Sequence, residues 1–177
     1  LKIKNDNVGS KIIKELNCKI MFIGNTLIID SSKIKYKTLN NENVRKIRGS
    51  YYLIGPLLYL FGKCEIALPG GCSIGNRPID AHIDMLKTFG NNVEIKDNVL
   101  YVSKEKTLDE VIYSMTKNSV GASINAIICS ALTNKTMLSG LVIEPEAIDV
   151  INFMKELGYE IISNHSECII YNKVLFI

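Results

Sequence analysis

Residues 68–80 read Leu-Pro-Gly-Gly-Cys-Ser-Ile-Gly-Asn-Arg-Pro-Ile-Asp, the densest gathering in the chain of residue types able to do chemistry. Three glycines and two prolines in so short a span exclude a helix or a central strand, so the stretch is a loop. Gly70, Gly71 and Gly75 open backbone conformations closed to other residues and allow close approach to a ligand. Cys72 then sits at a loop tip, where a thiol can act as acid or nucleophile, its pKa tuned by nearby cations and helix ends. Arg77 stands at the entry to a helix. Pro78 suits its first turn, where a missing N–H costs nothing, and Asp80 there complements the helix dipole. Taken as residue types alone, the stretch also describes a glycine-rich surface turn carrying an ordinary free cysteine.

The remaining candidates are thinner. Lys117-Asn118-Ser119-Val120 precedes or opens a helix, and Ser119 to Gly121 suits phosphate oxygens; Ser119 also suits a plain N-cap and Lys117 a surface cation. Arg48 reads as an anion-gripping fork or as a solvated helix residue. His82, one turn into the helix after the loop, reads as a packed or solvated histidine, and Glu144 and Glu146 flank Pro145 as a helix start without chemistry. Five scattered cysteines, two histidines and no Cys-x-x-Cys argue against a zinc site, and free thiols point to a reducing compartment, the cytoplasm. A net charge of +3 without a dense Lys/Arg run argues against nucleic acid and membrane surfaces as partners, but leaves room for a phosphorylated small molecule. The apolar stretch 51–61 is too short to cross a bilayer and contains Gly55 and Pro56, so it is expected to be a buried helix.

The elements that must position these residues recur. Segments 8–29, 78–102 and 145–171 share one order: an amphipathic helix, a small turn, then two short strands joined by a tight turn. Gly90 and Gly158 stand where C-cap glycines belong, and Gly24-Asn25 and Asp97-Asn98 are hairpin turn signals. Between these segments, 43–62 and 119–132 read as helices followed by strands at 64–68 and 136–141. The full unit is strand, helix, strand, helix, strand, strand. Two units are complete or nearly so, and the first is represented by its second half. Alternating strands and helices in 177 residues, 47% of them hydrophobic, predict an α/β fold of one domain's size.

The loop carries every fixed position of Pro-Gly-Gly-Cys-x-Ile-Gly-x-Arg-Pro-x-Asp, and on it the chain resembles the UDP-N-acetylglucosamine enolpyruvyl transferases. The likeness continues through 44–62, against Val-Arg-x-Met-Arg-Ala-Ser and Leu-Gly-Pro-Leu, through 117–123, against Ser-Val-Gly-Ala-Thr, and through Glu144-Pro145-Glu146. The resemblance implies an inside-out α/β domain, helices inside and sheets outside, built of strand-helix-strand-helix-hairpin units. It implies addition of the 3-hydroxyl of UDP-N-acetylglucosamine to phosphoenolpyruvate followed by loss of phosphate, the first committed step of peptidoglycan synthesis, with no cofactor. By position, Cys72 is the proton donor, the site of a covalent phosphoenolpyruvate adduct and the target of fosfomycin. Arg48 and Arg77 serve the substrates, and Arg77, Pro78, Ile79, Asp80, Ala81, Lys117, Asn118, Ser119 and Val120 hold the sugar nucleotide.

The chain departs from that pattern where Val142-Ile143 replace Ala-Arg or Ala-Lys. Also absent are an N-terminal Lys-Asn motif, the first half of the first unit and a second domain. The expectation is an incomplete catalytic-loop domain, inactive by itself. Enolpyruvyl transfer to shikimate 3-phosphate and a non-catalytic truncated homologue are the rival readings. The related enzyme acting on shikimate 3-phosphate lacks the cysteine loop, and the intact loop counts against a remnant.

Overall fold

The computed structural model describes residues 7–69 and 79–173. Cys72, Arg77 and Pro78 lie outside them. The elements run α1 (Val8–Glu15), β1 (Lys19–Ile23), β2 (Thr26–Asp30), α2 (Glu42–Lys46), a 3-10 helix (Arg48–Leu53), α3 (Ile54–Phe61) and β3 (Lys63–Ala67). They continue with α4 (Asp80–Thr88), β4 (Asn91–Lys96), β5 (Val99–Lys104), β6 (Glu110–Ser114), α5 (Val120–Cys129) and a 3-10 turn (Ser130–Leu132). The last four are β7 (Lys135–Ser139), α6 (Pro145–Glu156), β8 (Glu160–Ser163) and β9 (Cys168–Tyr171).

Local chemistry sets these boundaries. Asn7 caps α1 by accepting from the Ser10 N–H at 2.7 Å, and Asn41 does the same for α2. Gly90 and Gly158 take positive φ just past α4 and α6, as their positions in the sequence predict. The β4–β5 turn places Asp97 and Asn98 at φ 51° and 58°, the mirror-image turn that matches strand twist.

The described strands form three separate sheets rather than one continuous parallel sheet. β1 and β2 pair as a hairpin, a second sheet has the order β3-β5-β4, and a third the order β6-β7-β9-β8. In the third, β6 and β7 are parallel and the rest antiparallel. The second repeats this plan: Leu39 makes a parallel bridge to Ile66, with its N–H donating to the Glu65 carbonyl and its carbonyl accepting from Ala67, each at 2.8 Å. The helices occupy the interior. α5 touches α3, α4 and α6, and Ala122 through Ile127 on it are all buried. Small residues let the helices close in: a Cβ on Gly55 of α3 would stand 2.7 Å from Ile128 Cγ2. The outer sheet faces carry the exposed residues Ile95, Tyr101, Ile112 and Ile162.

The segment 43–62, expected as one helix, is broken. Ile47 adopts extended backbone (φ −132°, ψ 129°), and the Ser50 hydroxyl donates to the Ile47 carbonyl at 2.8 Å. The chain re-enters as a 3-10 helix whose first residue is Arg48. Nor is α3 buried all round: Leu57 and Leu58 are in the core, while Tyr59 and Leu60 are exposed.

Candidate active site

Three helix starts converge, those at Arg48, Asp80 and Val120. Pro69, after β3, and Ile79, before α4, are the described residues on either side of 70–78. At the start of α4 the Ile79 carbonyl accepts from the His82 and Ile83 N–H groups at 2.9 and 3.0 Å, and Asp80 presents its carboxylate to solvent. At the start of α5 the Ser119 hydroxyl accepts from the Ala122 N–H at 3.2 Å, so Ser119 is an N-cap. Lys117, just ahead of it, reaches Asp80 with Nζ 2.9 Å from Oδ2, joining two motifs far apart in the chain. Asn118 is exposed. Ile79, Ala81 and Val120 pack their side chains against the core, so a ligand over these helix starts meets their backbone.

The third start is the 3-10 helix. The Arg48 guanidinium lies over the Tyr51 ring, 6.0 Å from its centroid. The Tyr51 ring in turn meets His82 edge to face, centroids 5.4 Å apart. His82 is 3% exposed and its Nδ1 lies 3.1 Å from Asn125 Nδ2 on α5. Arg48, Tyr51, His82 and Asn125 thus tie all three starts together. Burial, helped by the Arg48 charge, lowers the His82 pKa to about 4, so the ring is neutral near pH 7. With the Asn125 amide N–H as donor, Nδ1 accepts and the proton sits on Nε2. Burial also pushes the Tyr51 phenol up.

Sequence reasoning left His82, Tyr51 and Asn125 without a role. The one available signal was Asn125, a polar residue inside the otherwise apolar run 124–129, which demands a buried partner. His82 supplies it. Cys64 and Cys129 are buried, and burial raises both thiols. Among the described residues no group of His, Cys, Asp or Glu could hold a metal ion. The arrangement offers two cationic side chains, Arg48 and Lys117, and the starts of α4 and α5 at one locus. That is the equipment for carboxylate and phosphate groups.

The fold and site define an enolpyruvyl transferase domain: residues 7–173 match the family described as EPSP synthase (3-phosphoshikimate 1-carboxyvinyltransferase), and the chain belongs to that family. The particular relatives it resembles bear another name. A UDP-N-acetylglucosamine 1-carboxyvinyltransferase of Clostridium botulinum is 40% identical over 153 residues, covering 85% of this chain and 36% of that protein. Its counterpart in Rickettsia conorii is 42% identical over 136 residues, covering 76% of this chain and 32% of that one. The chain therefore spans about a third of the length of the curated relatives it matches. Among solved structures, the enolpyruvyl transferase NikO from Streptomyces tendae aligns over 92% of this chain and 39% of its own, with a TM-score of 0.77 at 19% identity. EPSP synthase from Acinetobacter baumannii aligns over 94% of this chain and 39% of its own, with a TM-score of 0.69 at 10% identity. These two likenesses establish the inside-out α/β fold.

Proposed function

We propose that this chain is the catalytic-loop portion of an enzyme that transfers the enolpyruvyl group of phosphoenolpyruvate to the 3-hydroxyl of UDP-N-acetylglucosamine, the committed step toward peptidoglycan. The observation that supports the reading is the Lys117–Asp80 ion pair, a contact between one residue of each stretch to which the resemblance assigns the sugar nucleotide. Relatives of that name at 40% identity support the acceptor.

In the proposed reaction the sugar hydroxyl gives its proton to a base as its oxygen bonds to C2 of phosphoenolpyruvate, while the C2=C3 electron pair takes a proton at C3. C3 then gives a proton back to a base, the double bond re-forms and phosphate departs with the electron pair of its bond to C2. Cys72 donates the proton to C3; Arg48 and Arg77 hold anionic oxygens, while Pro78, Ile79, Asp80, Ala81, Lys117, Asn118, Ser119 and Val120 seat the nucleotide. Phosphate chemistry of this kind fits a site made of cations and helix starts. The remainder of the active site comes from a second domain, across a cleft from this one. The described cysteines, all free thiols, favour a cytoplasmic setting. No helix among the described residues is long and apolar enough to cross a membrane.

Calorimetric titration of the 177-residue chain tests the reading. UDP-N-acetylglucosamine should bind, and Lys117→Ala should weaken it severalfold with the melting temperature unchanged, because both partners of that ion pair are largely exposed. Binding of shikimate 3-phosphate with none of the sugar nucleotide would move the acceptor to the one in the family's printed description.

A further inference from the structure

His82 and Asn125 are polar side chains buried where α4 meets α5, 3% and 0% exposed. Asn125 Nδ2 lies 3.1 Å from His82 Nδ1. Asn125 Oδ1 is buried as well and has no hydrogen-bond partner among the described residues. Two leucines would fill comparable space without an unpaired oxygen, and replacing both partners of a buried hydrogen bond by apolar groups is close to neutral or stabilising. Stability alone does not account for the pair.

What the pair supplies is direction. Hydrophobic contact is non-directional, so helices held by aliphatic side chains alone can slide with little change in energy. A hydrogen bond weakens steeply with angle and distance. This one joins the first turn of α4, one residue past Ala81, to α5 just behind its own start.

The rest of the imidazole is held as closely. A Cβ on Gly121 would lie 3.4 Å from Nε2 and 3.5 Å from Cε1, so that edge of the ring rests against the first turn of α5. The Tyr51 ring meets the imidazole edge to face, and the Arg48 guanidinium lies over Tyr51. α5 also packs on the 3-10 helix that carries both residues. One buried ring therefore touches all three helices that meet at the candidate site.

We infer that His82 is a positioning residue of this site: pinned by Asn125 and seated between Gly121 and Tyr51, it fixes how the α4 and α5 starts lie against each other and, through the Tyr51 ring, where the Arg48 guanidinium stands. It acts through these neighbours and not on the ligand. The role rests on the proposed function in one respect, that residues 79–81 and 117–120 at these two starts seat the nucleotide. A tilt of about 5° moves one end of a nine-residue helix such as α4 by about 1 Å. In catalysis a misplacement of about 1 Å costs up to about a hundredfold.

The double variant His82→Leu/Asn125→Leu of the 177-residue chain tests the inference, because it removes the hydrogen bond and leaves neither partner unpaired. Its melting temperature should stay within about 3 °C of the parent or rise. Calorimetric titration at pH 7 should nevertheless show UDP-N-acetylglucosamine binding weakened about tenfold or more. His82→Gln, which keeps a donor and an acceptor for Asn125, should bind within about threefold of the parent. A second measurement needs no ligand. Residual dipolar couplings of the backbone amides should place α4 and α5 of the double variant about 5° or more from their parental angle, and His82→Gln should restore that angle. If the double variant does not fold, Asn125→Val, which deletes the hydrogen bond and keeps the ring, carries the same expectations for affinity and angle. An unchanged angle would overturn the inference, and an unchanged affinity would do the same. Lost affinity at the parental angle would make His82 a direct contact of the ligand. If the parent binds no UDP-N-acetylglucosamine, the acceptor reading falls by itself, and the couplings still decide whether His82 sets the angle.

Discussion

At His82, burial and the Arg48 guanidinium act in the same direction and hold the pKa down to about 4. In the unfolded chain the same imidazole takes up a proton near pH 6.5. Between those values the unfolded state binds more protons, so the full stability is present above pH 6.5 and is lost as the pH falls toward 4. From pH 7 to pH 5 the loss is roughly 2 kcal/mol from this group. Urea unfolding at the two values should show it, and His82→Gln, which keeps a polar partner for Asn125 without a titrating ring, should remove most of it. Equal losses in parent and variant would show that another group dominates. The proposed role of Cys72 as proton donor makes a separate case. Protonating C3 needs an acid, so Cys72→Asp should keep phosphate release while Cys72→Ala loses about a hundred- to ten-thousand-fold. Only the thiol should be captured by fosfomycin. Parental turnover in Cys72→Ala would make it an ordinary loop cysteine. What could be read in advance divides along these lines. The stretches 79–81 and 117–120, proposed to seat the nucleotide, are contiguous motifs, whereas the His82–Asn125 and Arg48–Tyr51–His82 contacts exist only once three helices have packed.

Element boundaries were legible wherever a local rule governs them. Gly90, Gly158 and the Asp97-Asn98 turn stand where backbone chemistry requires, and the helices beginning at Val8 and Pro145 match their apolar periodicity. The break at Ile47 was not legible, because residues 43–62 carry helix-compatible types and the interruption is stabilised by a side-chain hydrogen bond from Ser50. Tertiary contact overrode local preference there. Glycines give the sharpest experiment at this scale. Gly140 has φ 68°, and a Cβ there would lie 2.5 Å from the Met115 carbonyl oxygen, a backbone atom that cannot swing aside. Gly140→Ala should therefore cost at least about 2 kcal/mol and pull apart the C-terminal ends of β6 and β7. Gly24 has φ 58° with nothing within 4 Å of its would-be Cβ. Gly24→Asn, a residue that tolerates this conformation in a hairpin turn, should change stability by less than about 0.5 kcal/mol. Chemical denaturation of the two variants side by side separates a steric clash from the backbone preference alone; equal effects would count against the clash.

Across the whole molecule the repeat distributes stability unevenly. Units two and three each close a sheet against interior helices, so opening β5 or β9 breaks pairing on both edges and exposes core residues such as Leu100 and Cys168. Opening the β1–β2 hairpin breaks one ladder, and five exposed positions on β2 lose almost no burial. An isolated two-stranded hairpin is marginal in water. Amides in the β1–β2 ladder should therefore exchange with solvent by local opening, at least about a hundredfold faster than those of β5 and β9, whose opening approaches global unfolding. Native-state hydrogen exchange followed by NMR measures both in one sample. In rising urea below the transition, exchange of β5 and β9 amides should accelerate steeply, because their opening exposes much surface. That of β1 and β2 should stay nearly flat. Equal protection with equal urea dependence across the three sheets would show that the hairpin is as firmly anchored as its equivalents, and that the gradient of stability around the repeat does not exist.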